Sequence, residues 1–169
     1  MKITFNGDPI TLVENQVKVG DTAPDFLVVD NTLKDLTLAD TNGKRIFVTV
    51  PSLDTSVCDM EVRKFNEEAS KLEDVTVYVV SMDLPFAQVR WCGNAGVDRV
   101  KTVSDYKQKS FGKNYGALIE EFCFLTRAIF VVDENNKITY VEYCKDVINE
   151  PDYERSEERR VGKECRSRW

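Results

Sequence analysis

The chain has 169 residues, 42% of them hydrophobic, enough for one domain with a single sizeable core. Its formal net charge is -6, which disfavours nucleic acid and anionic membrane surfaces as partners. It contains no histidine, which removes Ser-His-Asp and Cys-His catalysis and the commonest zinc ligand.

The N-terminus has no apolar run of the ~7–15 residues that a secretory signal needs, and no stretch approaches the ~20 residues of a membrane span. A soluble, cytoplasmic protein with no membrane partner is therefore expected. Lys2–Phe5 and Ile10–Val13, around Asn6-Gly7-Asp8-Pro9, read as a β-hairpin. Gly20 to Pro24 reads as a turn before a short apolar stretch, Phe26–Val29. Asn42-Gly43 is a strong turn signal ahead of Ile46–Val50, whose β-branched and aromatic residues suit a buried strand.

Pro51 ends that strand, and Asp54, Thr55 and Ser56 are candidate helix N-caps. Val62, Phe65, Ala69 and Leu72 then fall on one helical face. Val75–Val80 is another continuous apolar strand. Pro85 suits the first turn of a short helix over Leu84–Trp91. A further strand is expected over Val100–Val103, then a helix through Phe111, Tyr115 and Leu118 that breaks near Gly116. A terminal hairpin pairs Ala128–Val132 with Ile138–Tyr143. This order predicts an α/β sandwich with a mixed sheet covered on both faces, built around a βαβ unit over Ile46–Val80 that should cross over right-handed. Residues 155–169, RSEERRVGKECRSRW, hold six of the 23 basic residues and read as a solvated tail.

Five cysteines remain: Cys58, Cys92, Cys123, Cys144 and Cys165, with no CxxC pair among them. Val50-Pro51-Ser52-Leu53-Asp54-Thr55-Ser56-Val57-Cys58 places Cys58 in the first turn of a helix that follows a buried strand. A free thiol is only a few per cent thiolate at neutral pH. Unpaired N–H groups at a helix N-terminus favour negative charge on a sulfur placed there. The Thr55 hydroxyl, three residues earlier, can face that sulfur or a bound oxygen, and the Pro51 ring can shield one side of the pocket from water. Without such a context, Cys58 would be a buried structural thiol and Arg127 an exposed arginine at the start of a strand.

Pro51, Thr55 and Cys58 compose PxxxTxxC, and the chain resembles the peroxiredoxins through it. PSLDTSVCD, SMDLPFAQVRWCG and TRAIFVVDENNKI are similar in order and spacing to the thiol peroxidase branch of bacteria, an atypical two-cysteine group. EPDYE is similar as well, and the likeness runs from residue 1 to about 154. It implies a thioredoxin-like fold with a mixed central sheet flanked by helices and an N-terminal β-hairpin, over a domain of residues 1–154. The tail 155–169 departs from the apolar C-terminal helix that the branch carries.

The resemblance implies a peroxidase for hydrogen peroxide and organic hydroperoxides. Cys58 would be the peroxidatic residue, Cys92 the resolving one, and Thr55, Arg127 and Pro51 would shape the site. Homodimers, thioredoxin as reductant, and no metal or organic cofactor are implied too. Cys123 and Cys144 read as structural, and Trp91 and Phe86 as core or pocket wall. Because a disulfide needs Cα atoms within about 7 Å, one arrangement is not expected to serve both the peroxide pocket and a Cys58–Cys92 bond. Local unwinding near Thr55–Met60 and rearrangement near Trp91–Gly93 are therefore expected on oxidation. A redox sensor that signals through the same disulfide without turnover, and a binding module with inert thiols, are the competing functions.

Overall fold

The computed structural model describes residues 1–71 and 73–151. Leu72, the tail 155–169 with Cys165, and the boundary at 154 lie outside the described residues. The element order is β1 (Lys2–Phe5), β2 (Asp8–Thr11), β3 (Leu27–Val29), β4 (Asp35–Thr37), a 3-10 turn (Leu38–Asp40), β5 (Lys44–Thr49), α1 (Ser56–Ser70), β6 (Val75–Ser81), α2 (Pro85–Ala95), β7 (Val100–Ser104), α3 (Ser110–Asn114), β8 (Ala128–Val132) and β9 (Ile138–Tyr143). β1 and β2 pair by themselves. The other seven strands form one sheet in the order β4-β3-β7-β6-β5-β8-β9.

The sheet is mixed. β5, β6 and β7 run parallel, in register from Ile46↔Val77 and Val77↔Val100, whereas β8 pairs antiparallel with β5 and β9 with β8. Because side chains alternate along a strand, the continuous apolar run of β5 serves two cores. Ile46 and Val48 pack with Val62 and Phe65 of α1. Phe47 packs on the opposite face with Tyr78, Phe111 and Phe130. A third, smaller cluster of Ile3, Ile10, Leu12, Ile119 and Val147 seats the hairpin.

Four details differ from the sequence reading. The hairpin turn is two residues long, since Asn6 (φ 51°) and Gly7 (φ 86°) supply the two left-handed positions that a tight turn needs. Pro9 therefore falls inside β2, opposite Thr4, which a two-stranded ribbon tolerates. β4 was not anticipated, because a three-residue edge strand of Asp-Leu-Thr carries no apolar pattern. α2 continues past Trp91 to Ala95 and closes at Gly96 in the left-handed conformation (φ 66°), so Cys92 lies within the helix, not at its end. α3 stops at Asn114. Tyr115 follows it and stacks on Phe111 with ring centroids 4.1 Å apart. Gly116 (φ 62°) lets the chain pass the 13–16 loop, where a Cβ would lie 2.7 Å from the Gln16 backbone nitrogen.

Candidate active site

β5 delivers the chain to the site and α1 begins there. The Thr55 hydroxyl accepts from the Cys58 amide at 3.3 Å and caps the helix, as the N-cap reading requires. The loop between them is pinned by Asp83, just beyond β6. Its carboxylate accepts from the Ser52 hydroxyl and the Leu53 amide, each at 2.8 Å, and from the Ser81 hydroxyl at 2.9 Å. Pro51, half-buried, opens this loop, while Thr55 is exposed at its end.

Cys58 faces inward and is fully buried, on the face it shares with Val62, Phe65 and Ala69. Arg127 immediately precedes β8 and is only 2% exposed, so it is not the surface arginine that its sequence position alone would indicate. Its guanidinium is held at three points. Nε donates to the Val147 carbonyl at 3.0 Å, Nη2 donates to Cys58 Sγ at 3.1 Å, and Nη1 donates to Glu61 Oε2 in a close ion pair. One planar fork thereby aims a fixed positive charge at the sulfur.

Glu61 is the site residue that the sequence reading missed. It lies three residues after Cys58, on the buried side of α1, and is fully buried. Burial raises its carboxyl to about 7, against the downward pull of Arg127, while Oε1 has no hydrogen-bond partner among the described residues. The available signal was a charged residue on the otherwise apolar stripe Cys58-Val62-Phe65-Ala69.

Cys92 sits on α2, half-buried, with Sγ 3.5 Å from the Thr102 hydroxyl of β7. Burial pushes its thiol up. Cys58 and Cys92 are both free thiols. Between α1 and α2 lies a cleft of about 460 Å³ bordered by Asp54, Asp59, Arg63, Arg90, Trp91 and Asn94. Trp91 is a wall of this cleft, as expected, but Phe86 is 70% exposed on the outer face of α2 and belongs to no core. Cys144 is buried, which pushes its thiol up to about 12 and fits a structural thiol. Cys123, expected to be structural as well, instead lies exposed at φ 57°. No cluster of metal-ligating residues occurs among the described residues, nor is any described helix long and apolar enough to cross a membrane.

A buried arginine holding a helix-terminal thiol beside the parallel strands of a thioredoxin-like sheet defines a peroxiredoxin-type oxidoreductase. Comparison with known proteins narrows this further. The family model described as Redoxin matches residues 18–156, and the chain belongs to that family. It is 54% identical over 155 residues to the thiol peroxidase of Bacillus subtilis (strain 168), covering 91% of this chain and 93% of that one. It is 55% identical over 155 residues to the thiol peroxidase of Halalkalibacterium halodurans, with the same coverage of both chains. Among solved structures, the peroxiredoxin-like protein of Aquifex aeolicus superposes with a TM-score of 0.90 at 37% identity over 96% of each chain. The thiol peroxidase of Chromobacterium violaceum shares the fold at a TM-score of 0.86 and 21% identity, over 94% of each chain. The chain is thus a peroxide-reducing oxidoreductase of the thiol peroxidase type.

Proposed function

We propose that Cys58 is the peroxidatic residue for hydrogen peroxide and organic hydroperoxides, and that Cys92 resolves it. The observation that carries this reading is the Arg127 fork, which donates to Cys58 Sγ while Glu61 and the Val147 carbonyl fix its orientation. The Cys58 thiolate attacks one peroxide oxygen in line with the O–O bond. The S–O bond forms, the O–O bond breaks, and the leaving hydroxide or alkoxide takes a proton to become water or alcohol. Arg127 and the amides of the first turn of α1 stabilise the charge that builds on the departing oxygen. Thr55 holds that turn wound, and Pro51 limits water access beside it.

The resulting Cys58 sulfenic acid condenses with the Cys92 thiol, releasing water and forming an intramolecular disulfide. A dithiol then reduces that disulfide by exchange and is itself oxidised. Thioredoxin is the proposed dithiol, a homodimer the proposed assembly, and the cytoplasm the proposed compartment. No step calls on a metal or organic cofactor. The separate partners of the two sulfurs, Arg127 for Cys58 and Thr102 for Cys92, support the view that the disulfide requires local unwinding near Thr55–Met60 and rearrangement near Trp91–Gly93.

The test is peroxide consumption coupled to thioredoxin and its reductase. Wild type should turn over repeatedly, Cys58→Ser should show no more than a trace, and Cys92→Ser should react once. A single stoichiometric oxidation of wild type without turnover would favour the redox sensor, and no reaction at all would leave an inert binding module.

A further inference from the structure

We propose that Asp59, Trp91 and Arg63 form a latch that holds the two cysteine-bearing helices in the reduced arrangement and sets the rate at which Cys58 is resolved. The inference rests on the reading of Cys92 as the resolving residue. Asp59 follows Cys58 in sequence and Trp91 precedes Cys92. The Trp91 indole N–H donates to Asp59 Oδ1 at 2.9 Å. The Arg63 Nε–H donates to Asp59 Oδ2 at 2.8 Å, and its Nη1 donates to the Ala95 carbonyl in the last turn of α2 at 2.9 Å. One carboxylate therefore joins the first turn of α1 to α2, and one arginine joins the same carboxylate to the far end of α2.

Consecutive helical residues point about 100° apart. Asp59 faces α2, so Cys58 does not; its sulfur points under α1 to Arg127. Trp91 faces α1, and Cys92 points instead to Thr102 of β7. Turning either sulfur toward the other rotates its immediate chain neighbour away, and that neighbour is a latch residue in both helices. The disulfide and the Asp59–Trp91 bond are thus mutually exclusive in this backbone. All three latch side chains border the cleft between the helices, where water is at hand to receive their polar atoms once they part. The sulfenic acid has two fates: condensation with Cys92, which releases water, or attack on a second hydroperoxide, which yields a sulfinic acid and an alcohol or water. A tighter latch lengthens its life and exposes it to the second fate.

Trp91→Phe keeps the ring and removes the donor. Arg63→Met keeps the aliphatic stem and removes the other two bonds. In each full-length variant, rapid quenching after stoichiometric hydrogen peroxide, followed by mass spectrometry, reads the first-order rate constant of Cys58–Cys92 disulfide formation. That constant is independent of peroxide concentration, so damage to the peroxide pocket leaves it in place. It should rise roughly tenfold in both variants, the factor expected for losing about 1.4 kcal/mol of charge-assisted hydrogen bonding. The sulfinic fraction under excess peroxide should fall in step. An unchanged or slower rate in either variant, with the disulfide still joining Cys58 to Cys92, would overturn the latch alone. A disulfide mapped to another cysteine would overturn the Cys92 reading and the latch with it.

Discussion

The Glu61 carboxylate should make the stability of this protein depend on pH in a way that one substitution removes. Buried, with Oε1 unpartnered among the described residues, it is raised from 4.5 to about 7 although Arg127 lies beside it. Between those values the folded chain binds more protons than the unfolded chain, so its stability falls as pH rises through the window. The rise from 4.5 to about 7 is worth ~3 kcal/mol, fully lost above the upper value. Glu61→Gln cannot ionise and should show no such loss. Below the window the Glu61 carboxyl is protonated and neutral, so replacing it with a neutral amide takes no counter-charge from Arg127 there. The amide oxygen still accepts from the guanidinium, as the protonated carboxyl does.

The variant should therefore be close to wild type at pH 5, where the Glu61 carboxyl is protonated, and clearly more stable than wild type at pH 8. Urea denaturation at intervals from pH 4.5 to 8 measures this directly. Asp105, raised to about 6 by burial, adds its own slope but occurs in both proteins and cancels in the difference. Parallel stability curves would refute the argument by showing that Glu61 stays ionised throughout. In peroxide reactions at pH 8 the variant should oxidise Cys58 about tenfold more slowly, because a neutral amide holds the Arg127 guanidinium less firmly than the carboxylate, by ~1.4 kcal/mol of charge-assisted hydrogen bonding.

Three further outcomes follow from the geometry around the site. Thr55→Val removes the cap on α1 and should cost about 1 kcal/mol in denaturant unfolding, with faster amide exchange confined to the first turn. Asp83→Ala leaves the Ser52, Leu53 and Ser81 donors without their acceptor; it should destabilise by roughly 2–4 kcal/mol and slow Cys58 oxidation, measured by denaturation and stopped-flow kinetics. Asp146 holds the hairpin by accepting from Thr4, Asn6 and Gly7, and these bonds lower its carboxyl to about 2. Its contribution is present above pH 3.8 and is lost as pH falls toward about 2, so residues 2–11 should lose exchange protection in acid before the central sheet does.

The sequence disclosed elements wherever a local pattern decides them. The terminal hairpin, Ala128–Val132 with Ile138–Tyr143, and the strands beginning at Val75 and Val100 are apolar runs bounded by turn residues, and each lies where it was expected. Cys58 in the first turn of α1 was legible for the same reason, since the strand, Pro51 and the Thr55 cap precede it within eight residues. The end of α2 was not legible. Gly93 looks like a stop, yet the helix runs on to the left-handed cap at Gly96. Arg127 and Glu61 show the larger limit. They are 66 residues apart and meet only because β8 lies beside β5 in the sheet, a fact that no local window contains. Glu61 still left a trace, as a carboxylate on an apolar helical stripe. Asp83 left none, since nothing near it in sequence announces that Ser52 and Leu53 return to it.

The central claim is that Cys58 Sγ is the atom that takes the peroxide oxygen. Cys92→Ser, treated with one equivalent of hydrogen peroxide in the presence of a sulfenic-acid trap and then digested, locates that oxygen by peptide mass. The account predicts a single adduct on the peptide carrying Cys58. An adduct on Cys123 or Cys144 with Cys58 unmodified would contradict it.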